Sequence, residues 1–422
     1  MQAMRLIRNL RTRIKNLLFL VLLAFGACSD ERAGEPLFVD SEKQLNVLGF
    51  DSGETSSTPH LSVGSLGPVL SWVRSADGIS SLYFSVFNGA VWLPETLVSS
   101  GDNWFNNWAD FPSVVPINGD LWAAHWLVES ADQYYAYDVF VSVSQDAGKT
   151  WQAPRKIHSD GTASEHGFVS LFDDAGEVAA VWLDGRNTVK KNASKAKSGM
   201  MLRSARISVE GEISRSLVVD SFTCDCCGTD VVNTSQGPMV VYRDRTENET
   251  RDIAAAHLSE AGWSGPLPVG ADNWIIEGCP VNGPAIDAHA EQVIVAWYTR
   301  AQDRSRVNIA WSDNGGLKFP DILEIAGSGT RGRVDVALLG KDRAAVSWLE
   351  VRPGDDEASL MLRYVNRRES ALLAGTDGAV AIEITRLENS RSAGFPQMVS
   401  HAGKLFFAWT DSVNKRVVAA TF

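Results

Sequence analysis

The sequence predicts an all-β protein, a single β-propeller with seven blades or, as the alternative, six. Three observations support this: a short apolar strand that ends in an aromatic residue recurs, its spacing is nearly constant, and the 35 Gly and 14 Trp suit a protein with many tight turns. The recurring aromatic residues are Trp72, Trp126, Trp182, Tyr242, Trp297, Trp348 and Trp409. They stand 51 to 61 residues apart, and such a period with several short strands per repeat is typical of propeller blades.

Each repeat is expected to form a four-stranded meander, with strands A to D, in which strand B ends at the aromatic residue. The seventh repeat stops at its third strand, whereas residues 45–50 read as an unassigned strand before the first repeat. We therefore expect residues 45–50 to supply strand D of the last blade, which would close the ring and leave no open sheet edge. The propeller is predicted to span residues 45–422.

Residues 1–27 have the pattern of a lipoprotein signal peptide and are set apart from the fold. Their basic residues are Arg5, Arg8, Arg11, Arg13 and Lys15. The apolar run that follows is shorter than the ~20 residues of a membrane span, and it leads to Cys28 through small residues that resemble a bacterial lipobox. Cys28 is the predicted lipidation site, and an ordinary secretory signal with a chance cysteine is the alternative.

Residues 28–44 are expected to be a linker that follows the lipidated cysteine. Ser29 resembles the outer-membrane sorting pattern, so we expect a monomer in the cell envelope, held at the outer membrane by its lipid anchor and facing the periplasm or the surface. The net charge is −12, and loss of the basic leader makes the remaining chain more acidic. An acidic surface argues against nucleic acid and against anionic lipid headgroups as partners.

Residues 144–151, with the sequence SQDAGKTW, match the Asp-box pattern S-x-D-x-G-x-T-W, and residues 312–319 are a weaker copy. Both segments fall between predicted strands C and D. With this motif in repeats of this period, residues 45–422 resemble the sialidase (neuraminidase, BNR-repeat) superfamily, and in particular bacterial sialidase-family lipoproteins. The Asp and Gly of the motif shape a turn and its aromatic residue packs between blades, so the motif is structural and not catalytic.

Alternating strand directions place the B–C and D–A loops on one face of the propeller, which we call the rim, and the A–B turns and Asp-boxes on the other. Charged and sulfur-containing residues concentrate in the rim loops. They are Asp110, Glu165, Glu277, Arg333 and four cysteines in D–A loops, and Asp184, Arg186, Arg243, Arg245 and Arg300 in B–C loops. An arginine cluster suits a carboxylated sugar, and paired carboxyls suit acid–base cleavage of a glycosidic bond. For any single residue, an ion pair between blades is the alternative.

The resemblance to sialidases implies three arginines on the sugar carboxylate, an aspartic acid as proton donor and a Tyr–Glu pair as nucleophile and base. For the carboxylate clamp we predict Arg243, Arg300 and Arg333, with Arg186 and Arg245 as further substrate-binding residues. Asp110 is the predicted acid. Its predicted catalytic partners are Glu165, Asp184 and Glu277. The sequence lacks the Phe/Tyr-Arg-Ile-Pro motif of sialidases and has no obvious rim tyrosine in its late blades.

Cys224, Cys226, Cys227 and Cys279 lie on consecutive D–A loops and are expected to meet at the rim. Disulfides are the default in an oxidising envelope. The alternative is a metal ion, copper or zinc, held by four thiolates with His166 nearby. The other histidines of the strands and loops, His158 among them, are assigned no chemistry.

Two functions follow from these features. The first is an exo-acting glycosidase for acidic, sialic-acid-like sugars, which requires no cofactor and has a glycan or other small acidic ligand as its partner. The second is a non-catalytic propeller that binds a glycan, a peptide or a metal at the same Arg-, Asp- and Cys-rich rim.

Overall fold

The computed structural model describes residues 45–133, 135–189, 199–367 and 380–422. Within these ranges the strands form seven antiparallel sheets in chain order, blades 1 to 7. Successive A strands contact one another, and strand A of blade 7 contacts strand A of blade 1, so the ring closes. The predicted seven-bladed, all-β propeller is confirmed, and the six-bladed alternative is wrong. The predicted signal peptide, Cys28 and the linker lie outside the described residues.

The four strands of each blade run from the central channel outwards. The A strands are Ser56–Gly64, Ser113–Asn118, His166–Asp174, Asp230–Thr234, Ala285–His289, Thr330–Leu338 and Gln397–His401. The B strands are Gly67–Ala76, Leu121–Glu129, Glu177–Asp184, Gly237–Arg243, Gln292–Thr299, Arg343–Glu350 and Lys404–Asp411. The C strands are Ile79–Val86, Tyr137–Ser144, Met200–Ile207, Ile253–Ser259, Arg306–Ser312, Glu357–Asn366 and Arg416–Thr421. The D strands of blades 1 to 6 are Thr96–Gly101, Arg155–Lys156, Leu217–Thr223, Gly262–Trp263 with Leu267–Pro268, Ile322–Ala326 and Ile382–Glu388.

Strand D of blade 7 comes from the other end of the described chain. Asn46–Val47 pairs antiparallel with Arg416–Thr421, so the outer edge of the last blade is covered as predicted. The strand is shorter than the predicted residues 45–50. Phe50 leaves the edge and packs on Trp72 with ring centroids 5.0 Å apart. Apolar burial of this ring takes the place of further strand pairing.

The aromatic residue that defines the repeat is buried in every blade, from 0% exposed in Trp72, Trp182 and Trp297 to 5% in Trp409. It is the sixth residue of each B strand, and the strand continues one to four residues beyond it, so the prediction that strand B ends there is wrong. Strand B lies inside each sheet and is covered by the neighbouring blades on both faces, so its side chains are apolar on both sides. This explains why the strands read as short continuous apolar runs and not as alternating ones.

The segment that matches the Asp-box forms a tight turn after strand C of blade 2. Asp146 accepts hydrogen bonds from Ser144 Oγ at 2.8 Å and from the Thr150 backbone N–H and hydroxyl at 2.8 and 2.6 Å. Gly148 has φ +80° and lies against the Phe84 ring of blade 1, where a Cβ would not fit. The Trp151 ring meets the same Phe84 at 6.3 Å. The turn therefore fastens one blade to the next.

Among the described residues the helical structure is one short 3₁₀ turn, Ala301–Asp303 in the B–C loop of blade 5. None of the described helices is long and apolar enough to cross a membrane.

Candidate functional site

The inner strands line a central channel of about 520 Å³. Its wall includes four aspartates: Asp110, Asp230, Asp287 and Asp335. Each accepts a hydrogen bond from a backbone N–H of the following blade, at 2.7 Å from Phe168, 2.9 Å from Ile286, 2.7 Å from Leu338 and 2.6 Å from Met398. Their first role is therefore to tie consecutive blades together around the channel.

Asp110 differs from the other three because it also contacts a side chain that leads to the rim. The Tyr137 hydroxyl lies 2.8 Å from Asp110 Oδ2 and 2.9 Å from Glu165 Oε1. Asp110 and Tyr137 are only 2% and 1% exposed, whereas Glu165 is partly exposed. The three residues come from three segments: the D–A loop before blade 2, the start of strand C of blade 2, and the D–A loop before blade 3.

If Asp110 and Glu165 were both ionised, the single proton of the Tyr137 hydroxyl would have to serve two carboxylates. The hydroxyl of Tyr137 can donate to only one of its two neighbours at a time, so the other carboxyl must carry a proton and donate to the phenol oxygen. Burial raises the pKa of Asp110 to about 7. Burial, with a smaller contribution from the charges of Asp110 and Asp225, raises the pKa of Glu165 to about 8. At neutral pH the group therefore stores a proton at the rim.

Local structure explains why these groups approach so closely. Gly167 has no side chain, and a Cβ there would collide with Asp110 Oδ2 and the Tyr137 ring. Phe168 has φ +52° at an irregularity in strand pairing between Gly167 and Ser170, which turns its N–H towards Asp110. On the other side, the Phe105 ring stacks on Tyr137 with centroids 4.0 Å apart and excludes water from it.

The predicted arginine clamp is not assembled. Arg243 is 1% exposed. Its guanidinium donates to backbone carbonyl oxygens of Asn282 at 2.9 and 3.0 Å, of Arg251 at 2.7 Å and of Tyr298 at 2.7 Å. These bonds hold the loops of blades 4 and 5 together and leave the side chain no access to a ligand.

Arg333 and Arg300 lie in different surroundings from Arg243. Arg333 donates to the carbonyl oxygens of Gly394 at 2.7 Å and Ser390 at 3.1 Å, and its guanidinium lies over the Trp108 ring. Arg300 is the open member of the predicted clamp, with 58% of its side chain exposed and a long 3.8 Å ion pair to Asp303. The structure thus leaves one of the three free to meet a ligand.

Arg245 takes part in a charged network with residues of the loops of blade 4. It donates to Asp225 at 2.8 Å and to Glu249 at 2.7 Å. Arg251 donates to the same Glu249 at 2.8 Å and to Cys224 Sγ at 3.3 Å. Burial raises the pKa of Asp225, and the ion pair with Arg245 opposes that rise.

The four rim cysteines meet as the sequence predicts. The Sγ atoms of Cys224, Cys226 and Cys227 lie within 4.8 Å of one another, and Cys224 and Cys227 are 3.4 Å apart. Cys279, from the next D–A loop, lies beside Cys226 but outside this group of three. All four are free thiols, with Cys224 and Cys227 buried and Cys279 exposed. The group adjoins the carboxyl site, because Cys279 contributes to the electrostatic surroundings of Glu165.

Asp184 and Arg186 belong to a separate buried network. Arg186 donates to both oxygens of Asp184 at 2.6 Å. The rings of His158 and His166 stack beside them at 3.6 Å, and both imidazoles approach Asp160 Oδ1, at 2.8 and 3.3 Å. The imidazole and carboxylate atoms are spaced as metal ligands would be. However, the bidentate salt bridge between Arg186 and Asp184 favours an ion-pair network over a metal site.

Of the predicted catalytic residues, the structure brings together Asp110 and Glu165 and leaves the other two apart. Asp184 is engaged by Arg186, and Glu277 is exposed on its loop with no side-chain hydrogen bond to another described residue. Sequence reasoning missed Tyr137. The alternation of Tyr137 with Val139, Val141 and Val143 on strand C predicts that it points inwards, but nothing in that pattern shows two carboxyls meeting its hydroxyl.

No family model and no curated protein matches this sequence. Solved structures do resemble it. A Hadza microbial sialidase is 13% identical with a TM-score of 0.43, and the match covers 71% of this chain but only 64% of that one, so this chain spans less than two thirds of its length. The phage phi92 endosialidase is 9% identical with a TM-score of 0.48, covering 90% and 68% of the two chains. An α-L-arabinanase from Penicillium chrysogenum is 10% identical with a TM-score of 0.47, covering 90% and 98%. These are similarities of fold alone.

Proposed function

We propose that this protein is a glycoside hydrolase of the cell envelope that acts at the rim between blades 2 and 4, with Glu165 as its proton donor. The observation that supports this most directly is that the Tyr137 hydroxyl lies within hydrogen-bonding distance of both Asp110 and Glu165. A general acid must be protonated at the working pH, and a carboxyl with a pKa of about 8 satisfies that condition. Of the three groups, Glu165 is the one a substrate can reach.

The neighbouring carboxylate suits the complementary role. Asp225 is in electrostatic contact with Glu165 and forms an ion pair with Arg245. In the proposed reaction Glu165 protonates the leaving-group oxygen as its bond to the anomeric carbon breaks, the oxygen of a water bonds to that carbon, and Asp225 takes the proton that the water loses. Tyr137 donates to the newly formed Glu165 carboxylate until solvent returns a proton to Glu165 and removes the one held by Asp225. The ion pair with Arg245 favours the ionised form of Asp225, whereas burial favours the protonated form of Glu165, so the first suits the base and the second the acid.

The proposed substrate class is a glycoside of an acidic sugar. The support for this is Arg300, whose exposed guanidinium lies on the B–C loop of blade 5 and can pair with a carboxylate. The buried or internally bonded Arg243, Arg333, Arg186 and Arg245 are assigned structural roles. Export, lipidation of Cys28 and an outer-membrane position remain part of the proposal and rest on the sequence pattern alone.

The experiment that tests this function is turnover of fluorogenic glycosides by the purified protein. The panel includes a sialoside, a glucuronide, a galacturonide, and neutral arabinoside and galactoside controls. We expect hydrolysis of an acidic glycoside, and kcat should fall by about 10² or more in Glu165→Gln, because general acid catalysis contributes 10²–10⁴-fold. Arg300→Ala should raise KM for the acidic substrate while leaving kcat for it nearly unchanged.

Glu260→Gln is the matched control, because Glu260 is an exposed carboxylate in the C–D turn of blade 4 on the opposite face. Its turnover should equal that of the wild type. If no glycoside of the panel is hydrolysed, the proposal fails. Retention of the same sugars on a glycan array in that case would establish the second candidate, a propeller that binds without catalysis.

A further inference from the structure

We propose that Cys224, Cys226, Cys227 and Cys279 form a binding site for one thiophilic metal ion, Zn²⁺ or Cu⁺. The cysteines adjoin the proposed catalytic carboxyls, because Asp225 stands between Cys224 and Cys226 in the chain, but the proposed hydrolysis itself needs no metal. The four cysteines come from two consecutive loops, the D–A loops before blades 4 and 5. The sequence brings three of them together within four residues, and only the ring of blades brings the fourth to them.

The arrangement of the sulfur atoms matches what such an ion requires. An ion with bonds of about 2.3 Å to tetrahedral thiolates holds the sulfurs roughly 3.8 Å apart. Cys224 and Cys227 are 3.4 Å apart, and the triple that includes Cys226 lies within 4.8 Å. Cys279 lies beside Cys226 on the next loop, outside this triple, and is the side chain placed to supply the fourth sulfur. Sulfur-only donors select soft ions over Mg²⁺ or Ca²⁺.

The surroundings of Cys224 provide an independent observation. Arg251 is 4% exposed on its side chain and directs Nη1 at Cys224 Sγ at 3.3 Å. A buried guanidinium forms a strong hydrogen bond with an anionic thiolate but only a weak one with the neutral sulfur of a disulfide. Burial of the charge without a strong acceptor costs free energy, so this contact favours a thiolate at Cys224. Hydrogen bonds of this kind to ligand atoms are the outer contacts that orient and stabilise metal ligands.

The charges around the four cysteines also suit a thiolate site. Arg243 lies beneath the loops with Arg251, and Arg245 pairs with Asp225 between the cysteines. These cations offset the negative charge that several thiolates would add to a partly buried site. Cys224 and Cys227 are buried, whereas Cys279 is exposed. An ion would therefore enter from the rim on the Cys279 side.

The test uses the full chain, reduced and handled without oxygen. Zn²⁺ or Cu⁺ is titrated against a chromophoric chelator, and Co²⁺ is added separately to look for the intense visible bands of tetrahedral cobalt thiolate. We expect one ion per chain and protection of all four thiols from alkylation until a chelator is added. Reduced wild-type protein that leaves both the chelator signal and the cobalt spectrum unchanged would overturn the proposal.

Variants locate the site. Cys226→Ser and Cys279→Ser should abolish the cobalt bands or move them to those of a site with fewer sulfurs. Arg251→Gln keeps all four cysteines and should weaken metal binding by about 10- to 100-fold, as loss of an outer contact does. Cys28→Ser, at the remaining cysteine of the chain, is the matched control and should bind like the wild type. Circular dichroism checks that each variant is folded. Metal binding that survives Cys226→Ser and Cys279→Ser unchanged would also overturn the site.

Discussion

The four aspartates of the channel wall divide into two kinds, and the division separates the structural part of the ring from its candidate active part. Three of them, Asp230, Asp287 and Asp335, accept backbone N–H hydrogen bonds with both carboxylate oxygens, one from their own blade and one from the next. Asp110 makes the same bond to the next blade through Oδ1 but gives Oδ2 to Tyr137. A residue type used for blade-to-blade ties thus becomes a candidate for acid–base chemistry only where a second side chain connects it to the surface.

Asp335→Asn tests an aspartate that only ties blades together. Of the four substitutions, we expect it to change the free energy of unfolding and its pH dependence the most. Burial raises the pKa of Asp335 to about 8 in the fold, well above its ordinary value of 3.8. The folded state therefore holds a proton that the unfolded state releases, so the free energy of unfolding falls as pH rises from about 4 to 8. The slope is at most about 1.4 kcal/mol for each pH unit. Asn stays neutral, so the variant should lose much of this slope.

The measurement is the urea midpoint at pH 5 and at pH 7.5. Asp77→Asn, at an exposed turn position with φ +53°, is the control and should keep the wild-type difference between the two pH values. An Asp335→Asn protein with an undiminished pH slope would show that this carboxyl is ionised in the fold.

Tyr137→Phe tests the reactive kind. The variant leaves Asp110 and Glu165 without the hydroxyl between them, and stability should fall by about 2–3 kcal/mol because buried polar groups lose a partner. Activity on the glycoside that the turnover panel identifies should fall about tenfold. The alkaline limb of the pH–rate profile, expected near pH 8 from the pKa of Glu165, should move. A pH–rate profile and a denaturation curve measure the two effects. An unaltered profile with lowered stability would reduce Tyr137 to a packing role.

Gly167→Ala tests whether the close approach of Asp110 and Tyr137 is needed, without changing a polar group. The added methyl would press on Asp110 Oδ2 and the Tyr137 ring, so the neighbours must shift. We expect a loss of about 1–2 kcal/mol, as overpacking commonly produces, together with a drop in kcat. Gly265→Ala is the control, because a Cβ there meets nothing within 4 Å. Equal stabilities of the two variants would mean that the close approach at Gly167 is not needed.

Tyr242→Phe should have the smallest effect. The Tyr242 hydroxyl contacts a single carboxylate, Asp220, at 2.7 Å. Its removal should cost about 1 kcal/mol, the typical net value of one hydrogen bond, and should leave the pH–rate profile unchanged. Thermal unfolding and the rate assay check both. A larger effect than that of Tyr137→Phe would remove the distinction between the two tyrosines.

Much of the fold could be predicted from the chain because a propeller is made of local repeats. The spacing of Trp72, Trp126 and Trp182 onward marks strand B in each blade, and simple alternation of strand direction assigns each loop to a face. For the same reason the meeting of the cysteines was predicted correctly: Cys224 to Cys227 and Cys279 lie on neighbouring loops of a regular ring.

The use of each rim residue could not be predicted in this way. Arg243 and Arg300 look alike in the sequence, both standing at the end of a B strand, yet one is enclosed by carbonyl oxygens and the other is open to water. Glu165 and Glu277 both precede an A strand, yet only Glu165 meets the Tyr137 hydroxyl.

The sequence by itself determined the ring, the closing strand and the face on which the charged loops gather, and it favoured seven blades over six, because these depend on periodic apolar patterns that act over short distances. The tertiary structure alone decided which charged side chains are bonded inside the fold and which two carboxyls meet one phenol. Those outcomes depend on contacts between residues far apart in the chain, on burial, and on gaps such as the one at Gly167 that only the packed structure reveals.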